Sequence, residues 1–147
     1  MRAYSTRTRS GGFTLIEIMV VVVIISVLIG LVGTNVLSNV DRSRVTAAKA
    51  DMATISQALD MYRLDNGAYP STEQGLQSLV QKPSGTPEPR NWNPSGYMKK
   101  KDVPKDPWGN DYQYIRYPDG RFDLLSYGAD GREGGENYDA DLGGESK

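Results

Sequence analysis

Residues 10–33 read SGGFTLIEIMVVVVIISVLIGLVG, an apolar run with a glutamate, Glu17, as the fifth residue counted from Phe13. A carboxylate near the middle of a bilayer costs about 3 kcal/mol or more unless something neutralises it, so Glu17 is a candidate functional residue by default. Residues 13–33 number about 21, roughly 31 Å as a helix at ~1.5 Å per residue, which matches the hydrocarbon thickness of a membrane. The segment before them, MRAYSTRTRSGG, carries Arg2, Arg7 and Arg9 and no acid. A basic segment followed at once by an apolar one is the pattern of an export signal. An ordinary signal would be cut after the apolar run at a small-x-small site, and LVGTNVLSNV offers none. A cut between Gly12 and Phe13 instead leaves the helix on the mature chain. The arginines keep that end cytoplasmic by the positive-inside rule. The expected organisation is a leader over residues 1–12, a transmembrane helix over 13–33, and an outward-facing domain over 34–147.

The 147 residues have room for one modest domain beyond this segment. Histidine and cysteine are both absent, which excludes Ser-His-Asp and Cys-His nucleophiles, thiol redox chemistry and Cys/His zinc sites. Any metal must be held by oxygen. Eight acidic residues follow from Asp119 onward against Arg121, Arg132 and Lys147, so a nucleic-acid surface is not indicated.

Val45, Ala48, Met52, Ile55, Leu59 and Tyr62 recur at helical spacing, while Arg42, Lys49, Asp51, Asp60 and Arg63 fall largely outside the stripe. The helix is expected to run from Thr14 to Asp65, about 78 Å by its rise per residue. Its stripe should pack on the chain's own domain, and Asn66 with Gly67 should stop it. Ser71 with Gln74 three residues on is a capping-box pattern, which predicts a short second helix with Leu76, Leu79 and Val80 inward. Residues 82–107 are rich in proline, glycine and asparagine and read as an ordered surface loop, pinned by Trp92. Lys99, Lys100 and Lys101 read as a solvated turn rather than an interaction patch. DYQYIRY and RFDLLSY flank Pro118, Asp119 and Gly120 as two strands of a hairpin. A third strand is expected at 96–98 or near Val103. The fold class is α+β, a long N-terminal helix packed by a small antiparallel sheet.

GADGREGGENYDADLGG brings Asp130, Glu133, Glu136, Asp139 and Asp141 among glycines. Two readings stand open on spacing alone. Acidic low-complexity tails are commonly disordered. Glycines also let a backbone fold several oxygens onto one point, and Ca²⁺ takes six to eight oxygen ligands. The EF-hand spacing is absent.

RSGGFTLIEIMVVVVIISVLIGLV resembles the leader junction and N-terminal helix of type IV pilins and of the pseudopilins of type II secretion. Gly12, Phe13, Thr14, Leu15 and Glu17 carry that resemblance. It implies that a prepilin peptidase cuts after Gly12 and methylates the Phe13 amine, and that Glu17 is needed for assembly, meeting the Phe13 amine of a neighbouring subunit. LDMYRLDNGAYPSTEQGLQSLV, PRNW, DPWGNDYQY and LLSYGADGREGGENYDADL are similar to landmarks of the G-type, major pseudopilin family. The absence of cysteine argues against a type IV pilin of a surface pilus, whose C-terminal loop a disulfide usually closes.

The resemblance implies a type IV pilin-like fold and a non-enzymatic subunit of a helical homopolymer. Its expected partners are minor pseudopilins, an inner-membrane assembly platform, a secretion ATPase and membrane lipid. It also implies calcium in the C-terminal loop, with Asp130 and Asp141 as carboxylate ligands, the carbonyls of Tyr127 and Arg132 as backbone ligands, and Asp139 as a further candidate. Family members often carry a proline where this chain reads VGTN, and Gly30 and Gly33 stand there instead. Many also finish with a tryptophan that GGESK lacks. A membrane-anchored periplasmic enzyme using paired carboxylates is the remaining alternative. It would need those pairs in a concave pocket, whereas here they cluster on a glycine loop.

Overall fold

The computed structural model describes residues 12–144, and of residues 31–38 the backbone alone. The expected leader, apart from Gly12, and the last three residues lie outside the described residues. The chain divides into two compact units, Met1–Asn39 and Val40–Lys147. A single α-helix, α1, covers Leu15–Asn66, within a residue of the expected bounds.

In the first unit every described apolar side chain from Phe13 to Ile29 is exposed. Among the described residues no helix is long and apolar enough to cross a membrane. The expected span over 13–33 includes residues 31–33, whose side chains are outside the description.

In the second unit the helical stripe does what its spacing predicts. Ala48, Ile55, Leu59 and Tyr62 are buried, Met52 packs at the edge, and Ala58 joins them. The core they form includes Tyr69, Leu76, Leu79, Tyr112, Tyr114 and Leu124. Gly67 ends the helix at φ 82°, its N–H donating to the Arg63 carbonyl at 2.7 Å. That left-handed position suits glycine because no Cβ opposes it. Beside it, buried Asn66 donates through Nδ2 to the Tyr62 carbonyl (2.9 Å) and Tyr97 Oη (3.0 Å), and its Oδ1 accepts from the Asn91 N–H (3.0 Å).

The second helix differs from expectation. The capping box forms, since Ser71 N–H donates to Gln74 Oε1 (3.0 Å) and Gln74 N–H to Ser71 Oγ (3.2 Å). Gly75 then takes φ 58°, outside the helical region, and only a 3₁₀ turn over Leu76–Leu79 follows. Leu76 and Leu79 point inward as expected, and Val80 is half-buried. The 82–107 loop is pinned by Trp92, whose Nε1 donates to the Ser78 carbonyl at 2.9 Å and whose ring meets Tyr97 edge-on. Lys99, Lys100 and Lys101 are exposed on a run of bends.

Three antiparallel strands lie in the order β1 (Gln113–Arg116), β2 (Phe122–Ser126) and β3 (Leu142–Gly143). Gln113 faces Leu125 and Arg116 faces Phe122 across the hairpin. The third strand is not at 96–98 or Val103. Tyr97 N–H donates instead to the Leu79 carbonyl at 2.7 Å, which docks that loop on the 3₁₀ turn. The edge of β2 is taken by the chain's far end, with Leu125 opposite Gly143 and Ser126 opposite Leu142. A Cβ on Gly143 would collide with the Leu124 carbonyl and the Met52 methyl, so glycine is required there.

Candidate functional site

The first site is the start of α1. Thr14 caps it: the Glu17 N–H donates to the Thr14 carbonyl (3.1 Å) and to Thr14 Oγ1 (3.3 Å). Thr14 and Glu17 stand at capping-box spacing, a signal that the motif alone had left unread. Glu17 therefore sits in the first helical turn, where the macrodipole favours a negative charge. Around it Phe13, Leu15 and Ile16 are at least 70% exposed. Among the described residues nothing lies within 4 Å of where a Cβ on Gly12 would stand.

The second site is the loop between β2 and β3. Tyr127 follows β2 directly, and Gly128 is buried at φ 62°. A Cβ on Gly128 would stand 2.9 Å from the Asp139 and Ala140 carbonyl oxygens, so the two limbs of the loop touch only because that residue has no side chain. The Ala129 N–H donates to the Tyr138 carbonyl at 3.0 Å and closes the loop. Asp130 Oδ1 accepts from the Arg132 N–H (3.0 Å), a local turn that holds the Asp130 carboxylate back over its own backbone. Asp141 Oδ2 accepts from the Gly134 N–H (2.9 Å).

Asp141 Oδ1 is buried and has no hydrogen-bond partner among the described residues. A buried carboxylate oxygen without a partner is costly, and a cation is one group that satisfies it. Asp130 and Asp139 are exposed, and the Asp139 carbonyl lies against Gly128 and Gly135. Among the described residues no three acidic side chains converge into a metal cluster. The loop is thus ordered as a closed hairpin of glycine turns, with two carboxylates anchored by backbone N–H groups. Calcium fits this arrangement if backbone carbonyls supply the balance of the oxygens.

Sequence reasoning missed Asp106, Asn110 and Ser126, which brace this loop. Asp106 is buried and accepts from Ser126 Oγ at 2.7 Å, and Asn110 Nδ2 donates to the Gly128 carbonyl at 3.2 Å. DPWGN carries the aspartate, proline and glycine of a turn, which was readable. Its contact with the distant 126–131 segment was not.

A capped apolar helix opening on glycine, phenylalanine and glutamate, which continues into a stripe covered by a small antiparallel sheet, defines the class of type IV pilin-like subunits. Family models agree: the prokaryotic N-terminal methylation motif matches residues 7–33, and type II secretion system protein G matches residues 35–145. The type II secretion system core protein G of Pseudomonas aeruginosa is 59% identical over 138 residues, covering 93% of this chain and 96% of that protein. The Vibrio cholerae protein of the same name is 52% identical, covering 90% and 89%. The crystal structure of the major pseudopilin from the type 2 secretion system of enterohaemorrhagic Escherichia coli superimposes with a TM-score of 0.62 at 42% identity, covering 74% of this chain and 92% of that one. The chain belongs to the type II secretion system protein G family.

Proposed function

We propose that this chain is the major structural subunit of a type II secretion pseudopilus. A leader over residues 1–12 is removed by prepilin peptidase and the new Phe13 amine is methylated. Residues 13–33 hold the subunit in the inner membrane as a single pass, with the C-terminal domain in the periplasm. Polymerisation into a helical filament, driven by a secretion ATPase and an inner-membrane platform and shared with minor pseudopilins, pushes folded proteins towards the outer membrane. The chain's role is mechanical and it catalyses nothing.

The observation that carries this reading is the placing of Glu17 in a capped first turn amid exposed apolar residues. Such a surface is stable only when lipid or other subunits cover it, and an isolated carboxylate there calls for a cationic partner. A cleaved Phe13 amine supplies one on each neighbour. N-terminal mass spectrometry of the membrane-extracted protein tests it: the expected terminus is an N-methylated Phe13. A terminus downstream of Gly33 overturns the reading.

We further propose that the 127–141 loop binds Ca²⁺. Asp130 and Asp141 would hold it with the carbonyls of Tyr127 and Arg132, and Asp139 is a candidate fifth contributor. The ion would supply positive charge to the buried Asp141 oxygen and tie the loop's two limbs together.

A further inference from the structure

The turn DPWGN, residues 106–110, contains none of the residues assigned to the calcium loop. Its organiser is Asp106, only 4% exposed. Oδ1 accepts from the Trp108 N–H (3.1 Å) and the Asn110 N–H (2.8 Å), and Oδ2 accepts from Ser126 Oγ (2.7 Å). The turn also closes on itself, with the Asp106 N–H donating to the Asn110 carbonyl (2.9 Å) and the Gly109 N–H to the Asp106 carbonyl (2.9 Å). A buried carboxylate with three donors is fixed in place, so the turn is a rigid platform.

From that platform Asn110 reaches the calcium loop twice. Its Nδ2 donates to the Gly128 carbonyl at 3.2 Å. Its side-chain amide also fills the space a Cβ on Gly131 would need, with the nearest atoms at 3.0 to 3.1 Å. Residues 126 and 128 are thus each bonded to one turn and residue 131 lies against it, and three of the proposed calcium contributors, Tyr127, Asp130 and Arg132, each stand next to one of these anchors in sequence. Gly131 stands at φ 65°, which only a residue without a Cβ adopts freely and which leaves the amide its seat.

We infer that Asp106 and Asn110 are positioning residues for the calcium loop, setting the backbone of residues 126–131 before any ion arrives. The inference rests on the calcium reading proposed above. A glycine-rich segment loses much conformational entropy when it binds an ion, and fixing it beforehand removes that cost from the binding step. Partners that orient metal ligands typically carry about 10- to 100-fold in affinity.

The test uses the full chain in detergent, titrated with Ca²⁺ by calorimetry and melted in calcium and in chelator. Asn110→Ala is expected to weaken Ca²⁺ binding about 10- to 100-fold, and to lose more melting temperature in calcium than in chelator. Gly131→Ala, which crowds the amide, should shift affinity in the same direction and serves if Asn110→Ala fails to fold. Asn93→Ala removes a comparable turn, in which Asn93 Oδ1 accepts from the Ser95 N–H at 3.0 Å, and should leave affinity unchanged. Wild-type affinity in both the Asn110 and Gly131 variants overturns the clamp and leaves the calcium reading standing. Equal losses in the two buffers with unchanged affinity assign the turn to plain folding and also overturn it. A wild-type chain that takes up no Ca²⁺ overturns the calcium reading and the clamp together.

Discussion

Residues 15–29 and 48–62 lie on the same helix and both carry large apolar side chains, yet those meet opposite fates. Ile24 and Leu28 are 53% and 54% exposed, whereas Ile55 and Leu59 are fully buried. The first stretch is apolar all round and the second only along a stripe. A stripe is satisfied by one covering layer, here the sheet and loops of the same chain. A helix apolar on every side needs cover on every side, which a small domain of its own cannot give. One segment is therefore built for the chain's own stability and the other for its surroundings.

The strongest attempt to break that contrast is Glu17→Ala. Pseudopilus assembly should be lost, because an unpaired Phe13 amine left buried costs about 3–5 kcal/mol per contact. Membrane insertion should persist, since removing a charge eases it. Normal pseudopili by electron microscopy, or failed insertion by membrane fractionation, would contradict the assignment.

Leu59→Ala compared with Ile24→Ala tests the contrast directly. The buried leucine should cost about 2–5 kcal/mol through the cavity it leaves. Ile24→Ala should leave the melting of the C-terminal unit within about 0.5 kcal/mol of wild type. Thermal denaturation followed by near-ultraviolet circular dichroism reads both, and equal losses would erase the distinction.

Calcium sharpens the picture within the second region. Chelation should lower stability by about 2.7 kcal/mol relative to a hundredfold excess of ion over its dissociation constant. Asp141→Ala should abolish that difference between melts in calcium and in chelator. Coincident wild-type melts in the two buffers would remove the ion from the loop.

The smallest expected effect is alkaline. Burial pushes the Tyr114 and Tyr112 hydroxyls up, with Asp51 and Asp106 adding to the shift at Tyr112. The folded state holds these protons more tightly than the unfolded chain. Their contribution is therefore complete below the unfolded value of about 10 and is lost as pH rises through the folded values. Tyr114→Phe removes the hydrogen bond to the Pro70 carbonyl at 2.8 Å. It should cost about 1 kcal/mol at neutral pH and make the fall of melting temperature above pH ~10 shallower. An unchanged alkaline slope would exclude Tyr114 as a source.

What was legible in the sequence follows the range of the interactions. The 48–62 stripe, the stop at Gly67 and the 113–126 hairpin are written in local periodicity and turn residues, and they stand where expected. The capping box at Ser71 and Gln74 was also legible, yet Gly75 at φ 58° cut the helix to one 3₁₀ turn, a break of which glycine's low helix propensity was the readable sign. Strand β3 has two residues, one of them glycine, too few to show alternation. Its partner is fixed by long-range pairing. In the candidate site the acidic residues and glycines could be read, but not the unpartnered Asp141 oxygen or the bracing by Asp106 and Asn110. Those depend on segments roughly 20 residues apart meeting in space.

Asn66 and Gly67 have a consequence for chemical ageing. An asparagine followed by glycine is the dipeptide most prone to deamidation, in which the glycine nitrogen attacks the side-chain amide carbon to form a succinimide. Here both reactants are engaged: the Gly67 N–H is committed to the Arg63 carbonyl, and the Asn66 amide is bonded on both its nitrogen and its oxygen. Cyclisation must wait for the helix end to open, so isoaspartate accumulating at Asn66 in stored protein would count those openings and serve as a slow clock on the seam between helix and loop.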